Sequence, residues 1–316
     1  MNKNILVTGG AGFIGSILSN FLYQKGFNIY VIDNLKTGNK LNLNKRIKFL
    51  KSDLNNIKKI NSFLKKNNIN TIFHFAAIID PPKNKADKRK IIGTNILQTK
   101  KLLEALQKTN VEKFIFSSSA AVYGHKKNSV KENTKLRPAN TYGSSKKKGE
   151  FLVNKYCKKF KIKFANLRFF NVIGADTKQG IYSNNIYNSL KNNLLKTVLS
   201  KQKFYIYCKN KTKTPVRDYI HVLDIIEICY QVFLSLSKKK SLLINVGRGI
   251  SVDIISFIKI FEDISKFKIA RNYKKISKQE IFYSVANNKR LKKMRLIKKF
   301  RNLHIMIKDI IHFKKN

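Results

Sequence analysis

Ile5-Leu6-Val7-Thr8-Gly9-Gly10-Ala11-Gly12-Phe13-Ile14-Gly15 opens with strand-forming residues, passes through a glycine-rich turn and enters an apolar spacing at Ile14, Leu18, Phe21 and Leu22. That spacing belongs to an amphipathic helix, and a strand that runs through glycines straight into a helix is a dinucleotide-binding turn in its required context. Gly10 and Gly12 permit a tight turn and close approach of backbone to a pyrophosphate. Gly15 lets the helix pack near the strand, and the leading N–H groups of the helix face the phosphates. Asp33 ends the second predicted strand, Asn28–Ile32, at the distance expected for a carboxylate that accepts both ribose hydroxyls of an adenosine. A 2′-phosphate there would meet a negative charge, so NAD is favoured over NADP, with nearby Lys36 weakening the preference a little.

Outward from this turn, short runs rich in Ile, Val and Phe alternate with longer stretches at helical spacing. The pattern predicts strands near 4–8, 28–32, 46–50, 71–76, 112–118 and 162–169, and helices near 13–25, 56–67, 88–109 and 141–160. The implied class is α/β, a Rossmann-type doubly wound parallel sheet, with a smaller C-terminal α+β substrate domain. Residues 1–170 are assigned to the NAD-binding unit, with a return segment near 216–246. Residues 171–215 and 247–316 are assigned to the smaller one, including a helical stretch at 183–200 and a short strand at Phe204–Tyr207. Asp53 follows the third strand, where it can reach an adenine amino group, and Phe75-Ala76-Ala77 ends the fourth with small residues where a cofactor must pass. Ligands of open parallel sheets lie beyond the carboxyl ends of the strands, where both segments fall.

The chemistry is signalled by three features in order. The fifth strand ends in Ser117-Ser118-Ser119-Ala120-Ala121-Val122-Tyr123-Gly124, placing hydroxyls at the same sheet edge as the glycine turn. Tyr142 and Lys146 are one turn apart on a predicted helix, so both project from one face. A neighbouring ammonium and a positive nicotinamide ring would favour the phenolate, turning a tyrosine that ordinarily titrates near 10 into a general base, with Ser119 sharing its proton.

Composition narrows the function classes. Lys and Arg number 66 against 17 Asp and Glu, a formal net charge of +49. The lysines are spread over nearly every predicted helix face and loop, which reads as solvated surface rather than a shaped polyanion groove, so any nucleic-acid binding is expected to be non-specific and salt-sensitive. Cys157, Cys208 and Cys229 lack the paired spacing of a zinc site, and no metal site is expected. Neither a long apolar run nor the build of a signal peptide is seen, which sets the expectation of a cytoplasmic protein with no membrane partner.

Taken together, TGGAGFIG (8–15), VIDNL (31–35), FHFAA (73–77), SSSAAVYG (117–124), YGSSK (142–146), LRFFNVIGAD (167–176) and PVRDYIHVLD (215–224) resemble the ordered motifs of the extended short-chain dehydrogenase/reductases, in the UDP-glucose 4-epimerase branch of the NAD-dependent epimerase/dehydratase family. The resemblance covers roughly the first seventy percent of the chain. Ala120 and Ala121 stand where the related dehydratases carry acidic residues. The resemblance implies cofactor contacts from Gly9, Gly12, Phe13, Ile14, Gly15, Asp33, Asn34, Asp53, Leu54, Phe75, Ala76, Ala77, Asn95, Tyr142, Lys146 and Phe169. It implies catalysis by Ser119, Tyr142 and Lys146, and a grip on the nucleotide diphosphate by Asn171 and Arg217 beside Ser119. It further implies a UDP-sugar substrate, UDP-glucose and UDP-galactose first, and a homodimer formed through the helices near 88–109 and 141–160. The chain departs from the family at Ile79, where a lysine is usual, at Ser277-Lys278-Gln279-Glu280, where an Arg-Pro-Gly-Asp segment supplies a second diphosphate-binding arginine, and at Ser284, where a gating tyrosine is frequent. Two alternatives remain at this level: an epimerase or reductase of another nucleotide sugar, such as a UDP-N-acetylhexosamine or UDP-uronic acid, and a nucleic-acid-binding protein on the same fold.

Overall fold

The computed structural model describes residues 3–79, 84–182, 203–208, 210, 213–277 and 280–312. The six predicted strands form as β1 (Asn4–Thr8), β2 (Asn28–Asp33), β3 (Lys48–Lys51), β4 (Thr71–His74), β5 (Lys113–Ser119) and β6 (Lys163–Phe169). Most of their residues are buried, the pattern of strands covered by helices on both faces. The intervening helices are α1 (Phe13–Gln24), α2 (Ile57–Lys66), α3 (Lys85–Ile92), α4 (Thr99–Glu104) and α5 (Thr141–Lys159). Asparagine sets three of the starts: Asn56, Asn84 and Asn140 each accept a backbone N–H of the first turn of α2, α3 and α5.

All pairings in the main sheet are parallel, in the order β3-β2-β1-β4-β5-β6 and then a seventh strand, Ser241–Val246, beside β6. The sequence changes direction across the sheet between β1 and β4, which opens the crevice where doubly wound folds bind ligands. One face is covered by α1 and the helix Val222–Ser235 around Ile17, Leu18, Leu22, Ile225 and Val232. The other packs α2, α4 and α5 through Ile60, Leu64, Leu102, Leu103, Leu152 and Val153.

Three elements depart from their predicted bounds by two residues or more, β3 beginning at Lys48 rather than near 46. The fourth strand ends at His74, two residues before the predicted end; the Phe75 N–H still donates to the Thr8 carbonyl at 3.0 Å, and the backbone of Phe75 and Ala76 crosses Gly9 so closely that a Cβ on Gly9 would lie 2.6 Å from the Ala76 nitrogen. The predicted helix near 88–109 starts earlier, on the Asn84 cap, and runs through a widened π-helical turn, Gly93–Gln98, before ending at Glu104.

A second cluster gathers around Phe204, Ile206, Phe257, Phe261, Met306 and Ile310, while Leu291 and Leu296 join the core of the main sheet. The strand expected at Phe204–Tyr207 forms as Phe204–Cys208, paired in parallel with Arg271–Lys275. The helical stretch expected at 183–200 lies outside the described residues. No helix among the described residues is long and apolar enough to cross a membrane.

Candidate active site

The glycine turn is built by exclusion of side chains. Gly9 adopts φ +68°, and a Cβ on Gly15 would lie 2.2 Å from the Gly9 carbonyl oxygen. Helix α1 starts on Gly12 without a side-chain cap and without an acidic residue in its first turn. The leading N–H groups at Phe13 and Ile14 are therefore available to an outside anion, and the helix dipole favours one there. Asp33, buried at the end of β2, accepts the Ala11 N–H at 3.0 Å on one oxygen and the Leu35 N–H at 2.8 Å on the other. Each carboxylate oxygen retains a further acceptor site, so the aspartate braces the turn and can still receive ribose hydroxyls. Asn34 and Asp53 each accept the backbone N–H two residues on, the Asx turns that end β2 and β3, and Leu54 is buried beside them. A cradle that any Cβ would fill, an uncapped helix start and a carboxylate at the next strand end fit an NAD pyrophosphate and adenosine ribose.

Across the crevice, the Phe75 ring stacks on Phe169 at 6.1 Å between centroids, walling the site between the ends of β4 and β6. Asn95 lies in the π-helical turn. Its side chain accepts the Ile78 N–H at 2.8 Å, donates to the Ile78 carbonyl at 2.9 Å and to the Ser145 hydroxyl at 3.0 Å. It therefore clamps the segment after β4 to the first turns of α5, the kind of task to which π-bulges are put at functional sites.

The structure brings Ser119, Tyr142 and Lys146 together. Ser119 ends β5, accepts the Ala121 N–H at 3.2 Å and hydrogen-bonds the Tyr142 side chain. Lys146, buried, donates to the Ser117 carbonyl at 2.7 Å and lies over the Phe116 ring. The lowered phenol expected from the sequence is not delivered by these side chains. Burial pushes Tyr142 up to about 12, opposed only by the Ser119 hydrogen bond, and burial draws Lys146 down to about 7, opposed by Glu150. The Lys146 nitrogen is 6.0 Å from the Tyr142 ring centroid and is engaged by a backbone carbonyl, so desolvation outweighs its pull on the phenol.

The proposed diphosphate residues lie on separate short strands, Asn171–Ile173 and Val216–Arg217. Asn171 pairs with Tyr219 in a short parallel ladder, two positions from Arg217, and its side-chain nitrogen is buried with no protein partner. This donor is free to bond a ligand oxygen. Arg217 donates to the Val216 and Phe282 carbonyls and lies 3.7 Å from Glu280, in the segment that departs from the family. Ser277 is exposed, and Lys278 lies outside the described residues.

Several residues of the site were not singled out from sequence. His74, behind the crevice, is held between Thr8 at 2.6 Å and Thr99 at 2.8 Å, and burial with the Lys146 charge draws it down to about 3. Glu150 and Arg168 form a buried ion pair behind the serines. Only Glu150 had a local signal, one turn beyond Lys146 on the same helix face. Cys157, Cys208 and Cys229 are buried and free, and burial pushes Cys157 and Cys229 up, so these two are inert thiols.

The chain is similar to known proteins in sequence and in fold. The chain is 34% identical over 250 residues to UDP-glucose 4-epimerase of Lactobacillus helveticus, covering 77% of this chain and 76% of that protein. It is 30% identical over 332 residues to UDP-glucose 4-epimerase of Mycoplasma genitalium, covering 99% and 96%. Its fold superposes with a TM-score of 0.87, at 27% identity and 99% coverage of both chains, on UDP-glucuronic acid 4-epimerase of Bacillus cereus, a structure in complex with UDP-glucuronic acid and NAD. Residues 5–247, from β1 to the end of the seventh sheet strand, match the NAD dependent epimerase/dehydratase family, and to that family this chain belongs.

Proposed function

We propose that this protein catalyses NAD-dependent 4-epimerisation of a UDP-sugar through a 4-keto sugar, with UDP-glucose and UDP-galactose as the first-choice pair. The observation that carries the reading is the line Ser119–Tyr142–Lys146 at the sheet edge beside the glycine turn. Bound NAD supplies reversible hydride transfer and a positive nicotinamide ring. Tyr142 takes the proton of the sugar 4′-hydroxyl and later returns it, with Ser119 bridging to the same oxygen. Burial raises the Tyr142 phenol, and in this reading the positive nicotinamide ring and Lys146 would draw it down. Lys146 stabilises the phenolate and orients the nicotinamide ribose. Asn171 and Arg217 hold the diphosphate, the arginine as a charged hydrogen-bonding fork, while Ala120 and Ala121 leave the serine loop without the acid and base that water elimination needs.

In this reading residues 1–170 with the return near 216–246 carry the cofactor, and 171–215 with 247–316 carry the sugar nucleotide. The protein is cytoplasmic and works as a homodimer through the helices near 88–109 and 141–160, against the repulsion of two +49 chains. Nucleic acid binds it only through bulk charge. Incubating the purified protein with UDP- and dTDP-sugars and resolving the 4-epimers tests the assignment. Interconversion of at least one UDP-sugar pair is expected, and absence of any 4-epimer across the panel would overturn it.

A further inference from the structure

Helix α5 presents three residues, each one turn after the last, to three consecutive serines at the end of β5. Tyr142 bonds the Ser119 hydroxyl, Lys146 donates to the Ser117 carbonyl at 2.7 Å, and Glu150 accepts the Ser118 hydroxyl at 2.5 Å. The first two contacts belong to the proposed reaction; the third has no part in it so far. Glu150 is buried, and Arg168 of β6 grips its carboxylate with two bonds of 2.8 and 2.7 Å. The guanidinium extends to the Tyr123 hydroxyl and the Glu132 carbonyl, both at 2.8 Å, and Tyr123 in turn donates to Asn245 on the seventh strand at 2.6 Å. A buried ion pair is a poor source of stability compared with apolar residues of the same volume, because both charges must be desolvated. Its placement, directly behind the reacting side chains, suggests another use.

We infer that Glu150 is a positioning residue for the reaction: it holds the serine strand end against α5 and keeps the Lys146 ammonium charged. This rests on the function proposed above. The charged and titratable groups facing Lys146 are Tyr142 and Glu150 from α5, neutral His74 from β4, and Arg168 from β6 behind Glu150. Ser117 of β5 contributes only a carbonyl and a hydroxyl. Glu150 is the one anion among them. With Lys146 drawn down to about 7 by burial, loss of that anion would leave the lysine neutral at the pH where the phenol needs a cation.

The test is the pH profile of kcat for Glu150→Gln and Arg168→Gln beside wild type, with KM and bound NAD measured in each. Glu150→Gln should move the alkaline limb about one pH unit lower, the effect of removing one opposite charge at close range, so that kcat falls about tenfold above the limb and recovers toward acid pH. KM and NAD content should stay within twofold. Arg168→Gln removes the charge that neutralises Glu150 and should move the limb the other way, which keeps the proposal decidable if the Glu150→Gln protein fails to fold. A loss of kcat that is uniform across pH in Glu150→Gln, or limbs unmoved in Arg168→Gln, overturns it. A reading independent of turnover comes from protein labelled at lysine Nζ with ¹⁵N, the Lys146 signal being identified by its absence in Lys146→Met. That signal should titrate lower in Glu150→Gln than in wild type, and equal midpoints overturn the proposal. A wild-type protein that turns over no nucleotide sugar defeats the assigned reaction alone, since the lysine titration still decides the role of Glu150.

Discussion

In a helix, Gly→Ala normally stabilises by about 1 kcal/mol, since alanine loses less backbone freedom on folding. Gly15→Ala should do the opposite. The added Cβ would stand 2.2 Å from the Gly9 oxygen, 2.8 Å from the Gly10 Cα and 3.0 Å from the Gly9 carbonyl carbon, all backbone atoms of the turn. Real Cβ contacts do not fall below 3.0 Å, so turn and helix must part by about 1 Å, a shift that a close-packed interior resists. Helix α1 cannot move freely, because Ile17, Leu18 and Leu22 are fully buried against the sheet. Overpacking of this kind costs about 1–3 kcal/mol, and the displaced N–H groups should weaken NAD binding about a hundredfold, equivalent to roughly 2.7 kcal/mol. The control is Gly93→Ala, a helical position with φ −56° where an added Cβ meets nothing within 4 Å. That variant should gain about 0.5–1 kcal/mol and bind NAD as wild type does. Urea unfolding and calorimetric titration with NAD measure both. If Gly15→Ala is as stable as Gly93→Ala and binds NAD equally well, close approach is not what the glycine turn is for.

Tyr142→Phe should lower turnover by roughly two to four orders of magnitude while NAD remains bound, as measured by progress curves and by cofactor released on denaturation. The cofactor released from wild type should be NAD(H); NADP(H) as the main species would contradict the placing of Asp33 beside the ribose. His74 should make the protein acid-labile: its folded pKa of about 3 lies below the ordinary 6.5, so the unfolded chain binds the proton first as pH falls and stability is lost from 6.5 downward. Between pH 7 and pH 5 this amounts to about 2 kcal/mol, and urea unfolding at the two pH values should show that difference reduced in His74→Gln. Ser277→Arg should lower KM for the UDP-sugar about tenfold to a hundredfold with little change in kcat, by adding a charged grip next to the segment where Glu280 now faces Arg217. An unchanged KM would mean that this segment does not reach the diphosphate.

The sheet, the glycine turn and the Ser-Tyr-Lys line were legible because each is written in short-range pattern. Apolar runs of strand length, helical spacing at 14, 18, 21 and 22, and one-turn spacing between Tyr142 and Lys146 need no knowledge of distant residues. Local sequence was less informative at segment ends: just past the end of β4, Gly9 and Ala76 meet, two positions 67 residues apart in the chain. The role of Asn95 was carried by resemblance, but that it clamps the Ile78 backbone to α5 follows only from packing.

By itself, then, the sequence determined the doubly wound class, the preference for a dinucleotide and the candidate line of Ser119, Tyr142 and Lys146, since periodicity and spacing are properties of the local backbone. Only the tertiary structure decided their electrostatic state. Burial, which depends on every element packed around α5, pushes Tyr142 up and Lys146 down against the expectation from spacing alone. It also decided the partners: Arg168 lies 18 residues from Glu150, Asn245 lies 122 from Tyr123, and Glu280 lies 63 from Arg217. Such pairs are made by the order of strands in the sheet and by the docking of the smaller cluster, and no residue's neighbours in sequence carry that information.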